Sequence, residues 1–313
     1  MNDYFDNKSI LSLINKWKVH IITIAIISVI ISGGASYLIT PLFKSTAILY
    51  PVNLSKFSDE NHTEQMLQVI KSNDIKFKLI DSLNLYEHYK ISKKEKFHKT
   101  YMFYELNKKI SFKKTKYESL KISVLDKDPI VAKNMVDVLI YLYSQKVQLL
   151  HRNKYKEFLD IKHNEMLIKS KEIDSLENQI NILRKKYDIL EYDTQVKELT
   201  RSYYNLLGKS PNKAKEAKVL LDNLKTHGGR FKELDLLIET ETENLLDIKK
   251  KYEELKTEYS KNITYAQVIE KPFIADKKAT PIRWLIALLS TIGAISLTII
   301  GIAIIENKKL IKK

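Results

Sequence analysis

The triplet Gly208-Lys209-Ser210 is the part of the sequence most like a phosphate-binding loop. Such a loop holds phosphate with backbone N–H groups and a lysine, and it requires a further glycine upstream and a preceding strand. Here the upstream glycine is missing and the flanking segments have helical patterns. We therefore interpret the triplet as a turn between helices.

The seven histidines are the other residues that could bind a metal or transfer protons. None pairs with another at the i, i+4 spacing, and neither His-Glu-x-x-His nor Gly-x-Ser-x-Gly occurs. We interpret His163, beside Glu165, as part of a solvated helix face. The chain has no cysteine, which excludes disulfides and cysteine-ligated zinc. The sequence predicts no enzyme activity, no catalytic residues, no cofactor and no metal.

The formal net charge of +15 raises the question of a nucleic-acid partner. Only five of the 53 basic residues are arginine, the side chain preferred for bidentate recognition of phosphate and guanine. The lysines are spread along the chain and interleaved with glutamate, a pattern typical of solvated helices. We predict no nucleic-acid binding, with a weak attraction to anionic lipid or acidic polysaccharide left open.

Two long uncharged runs indicate membrane spans, since about 20 helical residues cross the hydrocarbon layer. The first has a core of 21 residues, Val19–Ile39, and the second, Trp284–Ile305, has 22. Trp17 and Trp284 stand at the edges of these runs, where indole rings favour the interface. A cleaved signal peptide, with small residues at Gly33-Gly34-Ala35-Ser36, is the alternative for the first run, and a buried core helix for the second.

The lysines outside the two runs predict the orientation. Lys8, Lys16 and Lys18 precede the first run, and Lys308, Lys309, Lys312 and Lys313 follow the second. Short basic tails favour the cytoplasm, and a long intervening loop crosses the membrane regardless of its charge. We expect both termini in the cytoplasm and the central domain outside it.

Between the runs, alternating and helical patterns predict a mixed α/β base followed by long helices. Strands are expected at 44–52, 109–113, 117–125 and 265–270, and helices at 63–86 and 93–108. Asp128 is a predicted N-cap before Pro129, which opens a helix that we expect to run without interruption to 207.

Two heptad patterns follow, and they predict the pairing of the long helices. The first is at Ile173, Leu176, Ile180, Leu183, Tyr187 and Leu190; the second, with one charge, is at Leu234, Ile238, Glu241, Leu245, Ile248, Tyr252, Leu255 and Tyr259. Breaks are expected at 208–211 and at Gly228-Gly229. The patterns favour an antiparallel coiled-coil hairpin, with two ordinary bundle helices as the alternative. Phe231 is assigned to the core.

The predicted fold class is an α+β membrane protein, in which two transmembrane helices flank a periplasmic α/β base with a long antiparallel helical (coiled-coil) hairpin. The expected divisions are a cytoplasmic segment 1–18, transmembrane helix 19–40, α/β base 41–128, helical hairpin 129–262, final strand and proline linker 263–283, transmembrane helix 284–305 and cytoplasmic tail 306–313.

Three pieces of sequence, in this order, resemble the polysaccharide co-polymerases, the Wzz-type chain-length determinant family. They are Ile10–Lys18 with Pro41–Tyr50, Leu120–Asp126 with Asp128, Pro129, Ala132 and Asn134, and Val268–Pro272 with Thr280–Arg283. The chain departs from the family in keeping only Pro272 and Pro281 before the second run, and in the wide spacing of Gly293 and Gly301.

The resemblance implies a bacterial inner-membrane protein that sets the length of a surface polysaccharide (O-antigen, capsule or exopolysaccharide), or its export. It also implies a ring-like homo-oligomer in the lipid bilayer, beside a polymerase or export machinery. We expect no fused tyrosine-kinase domain, and therefore expect any kinase to be a separate protein. The alternatives are a transmembrane sensor, for which the short tails leave no output module, and an export-pump adaptor, which usually has a β domain between its hairpin arms.

Four residues are the candidate functional positions. Pro272 and Pro281 could form a functional linker or a plain connection, because proline enforces extended backbone. Gly33 and Gly34 could let the spans approach closely or could give a flexible exit from the membrane. In addition, Ile10, Leu13, Ile14 and Trp17 have the spacing of an interfacial helix.

Overall fold

The computed structural model describes residues 14–54 and 59–311, with side chains as far as 305. The predicted interfacial helix falls partly outside these residues, at Ile10 and Leu13, as do Lys8, Lys312 and Lys313. The helices are α1 Lys18–Ala35, α2 His62–Ile70, α3 Asn73–Ser82, α4 Leu85–His88, α5 His98–Lys109, α6 Pro129–Tyr187, α7 Tyr192–Leu206, α8 Pro211–Ser260 and α9 Arg283–Ile311. The strands are β1 Leu42–Pro51, β2 Ile110–Lys114, β3 Leu120–Asp126, β4 Ala266–Glu270 and β5 Lys278–Thr280.

The chain folds as two compact units, Met1–Val147 with Thr264–Lys313 and Gln148–Ile263. The first contains the apolar helices and the sheet, and the second contains the helical hairpin. The predicted fold class is confirmed in its main parts: two apolar helices that flank an α/β base and a long antiparallel hairpin.

Helices α1 and α9 are long and apolar enough to cross a membrane, and they pack against each other. Of the described side chains in these helices, only those of Ile21 and Ile302 are buried. A core helix of a soluble protein would bury most of its apolar side chains, so this exposure favours lipid as their surroundings.

Helix α1 ends earlier than the predicted span, at Ala35 rather than at 39 or 40. Residues 36–39 form turns, and the Ser36 hydroxyl donates a hydrogen bond of 2.6 Å to the Gly33 carbonyl. Glycine weakens a helix, and Pro41 biases the residue before it towards extended backbone. Uncharged composition alone therefore overestimated the length of this helix.

The sheet is antiparallel, in the order β2-β3-β1-β4, and β5 also pairs with β1. The residues Leu120, Ile122 and Val124 of β3 are buried on its inner face, as their alternation predicted. They lie opposite Leu49, Ala47 and the buried polar Ser45 of β1. Strand β5 was not predicted, because three residues are too few to show an alternating pattern.

Helices α2, α3, α4, α5 and the first turns of α6 contribute buried side chains to the same hydrophobic core. The predicted helix 63–86 is instead three helices. Ser72 precedes α3, and Asn84, which alone of the two has the left-handed conformation, precedes α4. The predicted cap of α6 is confirmed, since the Ile130 N–H donates a 2.8 Å hydrogen bond to Asp128 Oδ1.

Two predictions about breaks in the long helices are wrong. The helix expected to reach 207 ends at Tyr187, where Asp188 takes a positive φ of 55°. The carboxylate of Glu191 then caps α7 by accepting from the N–H groups of Asp193 and Thr194. Conversely, α8 continues through Gly228-Gly229. The predicted break at 208–211 is confirmed.

Candidate functional site

The hairpin arms run antiparallel, as side-chain contacts between α6 and α8 show. The contacts join Gln148 to Asn262, the second residue after α8, at 2.8 Å, Lys169 to Glu241 at 2.8 Å, and Arg230 to Gln179 at 3.1 Å. Residue numbers rise along one arm as they fall along the other. Side-chain contacts therefore join the two arms at intervals, from Gln148 and Asn262 to Gln179 and Arg230.

Glu241, the one charge in the second heptad pattern, is explained by this pairing. Its carboxylate accepts from Lys169 Nζ, which also lies 2.6 Å from Glu172. The hydrogen bond with Lys169 holds the pKa of Glu241 below its ordinary value. The two side chains are only about one-quarter exposed, with Lys169 at 23% and Glu241 at 24%. The charge thus fixes one register of the two arms.

The far end of the hairpin holds a small hydrophobic cluster in which α7 packs on α8. Ile180, Ile189, Leu224, Phe231 and Leu234 form its buried part, which confirms Phe231 as core. Leu190 belongs to the first heptad pattern, but its side chain is 70% exposed, so its predicted place in the helix pairing is wrong.

Gly228 is a notch for an aromatic ring rather than a helix break. A β-carbon added there would lie 2.0 Å from Cε2 and 2.3 Å from Cδ2 of Tyr192, the first residue of α7. By contrast, nothing lies within 4 Å of a β-carbon added at Gly229. Beside the notch, the rings of His227 and Tyr187 stack with centroids 3.7 Å apart. Only glycine lets α7 lie this close to α8.

The two apolar helices meet the sheet at a clamped junction. Leu42 pairs with Thr280 and Phe43 with Lys278, so the start of β1 is hydrogen-bonded to β5. The Arg283 guanidinium lies 3.7 Å from the centroid of the Tyr37 ring. Such a cation–π contact is worth ~0.5–2 kcal/mol. The end of α1 and the start of α9 are thereby held side by side.

The four candidate positions lie near this junction. Pro272 follows β4, and Pro281, after a cis peptide bond, precedes α9. Gly33 and Gly34 form the end of α1, and nothing lies within 4 Å of a β-carbon added at either. Within one chain, these glycines do not create a close approach of the two helices. A functional role for the prolines stays a prediction.

A buried carboxylate network lies in the first unit, and no sequence pattern predicts it. Asp126, at the end of β3, has no exposed surface. Its Oδ1 is 2.8 Å from His88 Nε2 and accepts from the Asp128 N–H at 3.0 Å, while Oδ2 accepts from the Tyr89 hydroxyl at 2.7 Å. Lys109 Nζ lies 3.7 Å from Oδ2. The network ties α4 and α5 to the sheet beside the start of α6.

Burial alone would raise the pKa of Asp126, but the hydrogen bonds from the Asp128 N–H, Tyr89 and His88 outweigh it and lower the pKa below its ordinary value. Burial is also the main reason why the pKa of Tyr89 is raised, and its hydrogen bond to Asp126 adds to that effect. The carboxylate therefore stays ionised and Tyr89 stays a donor near neutral pH. Within the described part of the chain, no group of three or more histidine and carboxylate side chains could hold a metal.

The triplet Gly208-Lys209-Ser210 has the geometry of a turn, as predicted. The N–H groups of Lys209 and Ser210 both donate to the Leu206 carbonyl, at 3.1 and 3.0 Å, so they are directed back at α7. Ser210 directly precedes Pro211, which opens α8. The ring of His163 lies 6.3 Å from that of Tyr252, so this histidine faces the other arm rather than only solvent.

One solved structure matches nearly the whole chain, and others match about three-quarters of it. A full-length bacterial polysaccharide co-polymerase is 14% identical, with a TM-score of 0.46 over 97% of this chain and 98% of that chain. The structural neighbours are polysaccharide co-polymerases and Wzz chain-length regulators. The wild-type O-antigen chain-length regulator WzzBSF of Shigella flexneri is 15% identical (TM-score 0.33, 75% and 99% coverage). A fragment of WzzB, a polysaccharide co-polymerase from Salmonella Typhimurium, is 12% identical (TM-score 0.25, 77% and 100% coverage).

No family model and no curated protein matches the sequence. The three sequence pieces that resemble the polysaccharide co-polymerases lie at junctions of the first unit. Pro41–Tyr50 carries the chain from α1 into β1, Leu120–Asp126 is β3 and leads to the capped start of α6, and Val268–Pro272 lies at the end of β4. These pieces connect the membrane helices and the long helix to one sheet.

Proposed function

We propose that this chain is a non-enzymatic inner-membrane scaffold that regulates the chain length or export of a bacterial surface polysaccharide. The observation that carries the proposal is the joining of two exposed apolar helices to one small sheet, by the pairing of Leu42 with Thr280 and the contact of Arg283 with Tyr37. A domain fixed to a membrane at both of its ends, and bearing paired helical arms, is suited to holding position rather than to turnover.

The proposed role in controlling polysaccharide length or export is based on the resemblance of this chain to known proteins. The sequence pieces around β1, β3 and β4 resemble the chain-length determinant family, and the matched proteins are described as a polysaccharide co-polymerase and as O-antigen chain-length regulators. We propose the same role here. The base and hairpin would lie in the periplasm, with both termini in the cytoplasm, because the flanking tails are rich in lysine.

The proposed partners follow from that role. They are further copies of this chain in a ring-like homo-oligomer, a polymerase or export machinery, and a separate tyrosine kinase. Native mass spectrometry of the detergent-solubilised protein tests the first of these. A dominant mass at one fixed multiple of the 36.6 kDa chain supports the oligomer, and a monomer at all concentrations contradicts it.

An export-pump adaptor is less well supported. Such a protein usually carries a β domain between its hairpin arms, whereas residues 188–210, all of them described, contain α7 and two turns but no strand. Gene deletion with separation of the surface polysaccharide on a gel tests the main proposal. We expect the modal length to be lost and then restored by the plasmid-borne gene. An unchanged length distribution with unchanged total amount would contradict the proposal, while a lower amount at unchanged length would indicate export.

A further inference from the structure

A loop of seven residues, 271–277, leaves the edge of the sheet between β4 and β5. We call it the linker loop. Strand β4 pairs with residues 48–51 of β1, and β5 pairs with Leu42 and Phe43 on the same side of β1. Between these two pairings, the linker loop rather than a strand runs past residues 44–47 on that side. One side-chain contact fixes it, since the hydroxyl of Ser45, itself fully buried, donates a 3.0 Å hydrogen bond to the Phe273 carbonyl.

The side chains of the linker loop combine an apolar tip with cations. Phe273 and Ile274 are 57% and 54% exposed, although both are large and apolar. Lys271 and Lys277 lie on either side of them, and Lys278 follows directly. Asp276 is the one acidic residue, so positions 271–278 carry three positive charges and one negative charge. Exposed aromatic and aliphatic side chains between lysines fit the boundary between lipid headgroups and acyl chains.

The loop lies beside the point where the chain meets the membrane helices. Its second end is continuous with Lys278, which pairs with Phe43, one residue after the first residue of β1. Ser45, which holds Phe273, is three residues from Leu42, or ~10 Å along a strand. The headgroup layer of one leaflet is itself ~5–7 Å thick. The apolar tip is therefore held near the end of the sheet that connects to α1 and α9, and the anchor requires its side chains to extend from there into the headgroup layer.

Further exposed apolar residues lie at the ends of the two spans on the side of the sheet. They belong to the turn after α1 and to the segment that opens α9, and they are Tyr37 (69% exposed), Leu38 (88%), Ile39 (48%), Ile282 (46%) and Trp284 (69%). Apolar surface of this kind is continuous with that of α1 and α9, whose surroundings we take to be lipid. The lysines complement the anionic phosphates of the same surface.

We propose that the linker loop is an interfacial anchor, which inserts Phe273 and Ile274 into the outer leaflet while its lysines contact anionic lipid phosphates. This role falls on the segment that contains Pro272 and turns towards β5. It rests on the part of the proposed function that places α1 and α9 in a bilayer, and it is independent of any control of polysaccharide length.

Fluorescence quenching by brominated phospholipid tests this anchor in the full chain, reconstituted into nanodiscs that contain phosphatidylglycerol. The reporter chain is W17F/W284F/F273W, with one tryptophan in the loop. The matched control is W17F/W284F/F97W, because Phe97 is 55% exposed and also lies between basic residues, Lys96 and His98. The reference is W17F, which keeps Trp284 at the start of α9.

We expect the loop reporter and the Trp284 reference to lose most of their emission in brominated lipid, and the F97W control to lose little. Adding K271Q, K277Q and K278Q, or replacing phosphatidylglycerol by phosphatidylcholine, should reduce the loss at the loop. A loop reporter no more quenched than F97W, while Trp284 is quenched, would overturn the anchor alone. Blue-shifted but unquenched emission would indicate burial against a second copy, which also overturns it. If Trp284 is unquenched as well, the membrane placement fails together with the anchor.

Discussion

The ring of Tyr192 occupies the place of the missing side chain of Gly228, so that a β-carbon there would lie 2.0 Å from Cε2 of the ring. This contact docks the start of α7 on α8 at the far end of the hairpin. It explains why a glycine is present in the middle of a 50-residue helix, where glycine costs ~0.5–1 kcal/mol relative to alanine.

Replacing Gly228 by alanine should therefore destabilise the hairpin. The added methyl group overlaps the Tyr192 ring, and overpacking of this kind costs ~1–3 kcal/mol. G229A is the matched control, because its methyl group meets nothing and should stabilise the helix by ~0.5–1 kcal/mol. Thermal unfolding of the full chain in detergent, followed by circular dichroism, measures both. A midpoint for G228A equal to or above that of G229A would rule out the notch.

A double-mutant cycle identifies Tyr192 as the cause. In a chain that already carries Y192A, the ring is absent and the overlap is removed. G228A should then cost far less than in the wild-type background. An equal cost in both backgrounds would place the strain elsewhere in α8.

The network of Asp126 makes stability depend on pH at the acid end. The folded state lowers the pKa of this carboxylate, so its contribution is fully present above the unfolded value of ~3.9 and is lost as pH falls through the lower folded value. D126N should destabilise the chain by ~1–3 kcal/mol at neutral pH, because buried donors lose a charged acceptor. It should also make the loss of stability below pH ~4 shallower.

D128N is the control for that experiment. Asp128 is partly exposed and caps α6, and asparagine caps a helix about as well as aspartate. The unfolding midpoint should therefore change little at neutral pH. Equal effects of D126N and D128N on the midpoint and on its pH dependence would show that the network is unimportant.

The ion pair of Lys169 and Glu241 joins the two arms, so its contribution should be sensitive to salt. E241Q is expected to lower the unfolding midpoint at low ionic strength, and the difference from wild type should shrink near 1 M salt, where the screening length is ~3 Å. The control is E243Q, since Glu243 is exposed and makes no ion pair with any residue that the structure describes. A salt-independent loss would point to packing of the Glu241 side chain instead.

Patterns of charge and apolarity were sufficient to predict the two apolar helices, the buried face of the sheet and the antiparallel arrangement of the hairpin arms. The break predicted at Gly228-Gly229 is wrong because a glycine within a helical pattern can mark either a break or a close contact. Only the position of Tyr192, 36 residues earlier, decides between these two possibilities. The break after Tyr187 contains neither glycine nor proline. It depends on Asp188 at positive φ and on Glu191 and Gln195, whose side chains accept backbone N–H groups at the start of α7.

The Asp126 network could not be predicted either. Its partners His88 and Tyr89 lie 38 and 37 residues away, between the two helices that the periodicity predicted at 63–86 and 93–108. Local sequence patterns report burial and period, but not which polar groups meet across the fold. Asn84, in the left-handed conformation, directly precedes the short helix α4, which carries His88.

The absence of cysteine allows the central claim, a chain held in the membrane at both ends with its middle on the far side, to be measured directly. Single cysteines are introduced as K16C, S210C and K309C, and intact spheroplasts are treated with a membrane-impermeant maleimide. We expect labelling of S210C alone, with K16C and K309C labelled only after lysis. Labelling of K16C and K309C on opposite sides of the membrane, or protection of S210C until lysis, would contradict the account.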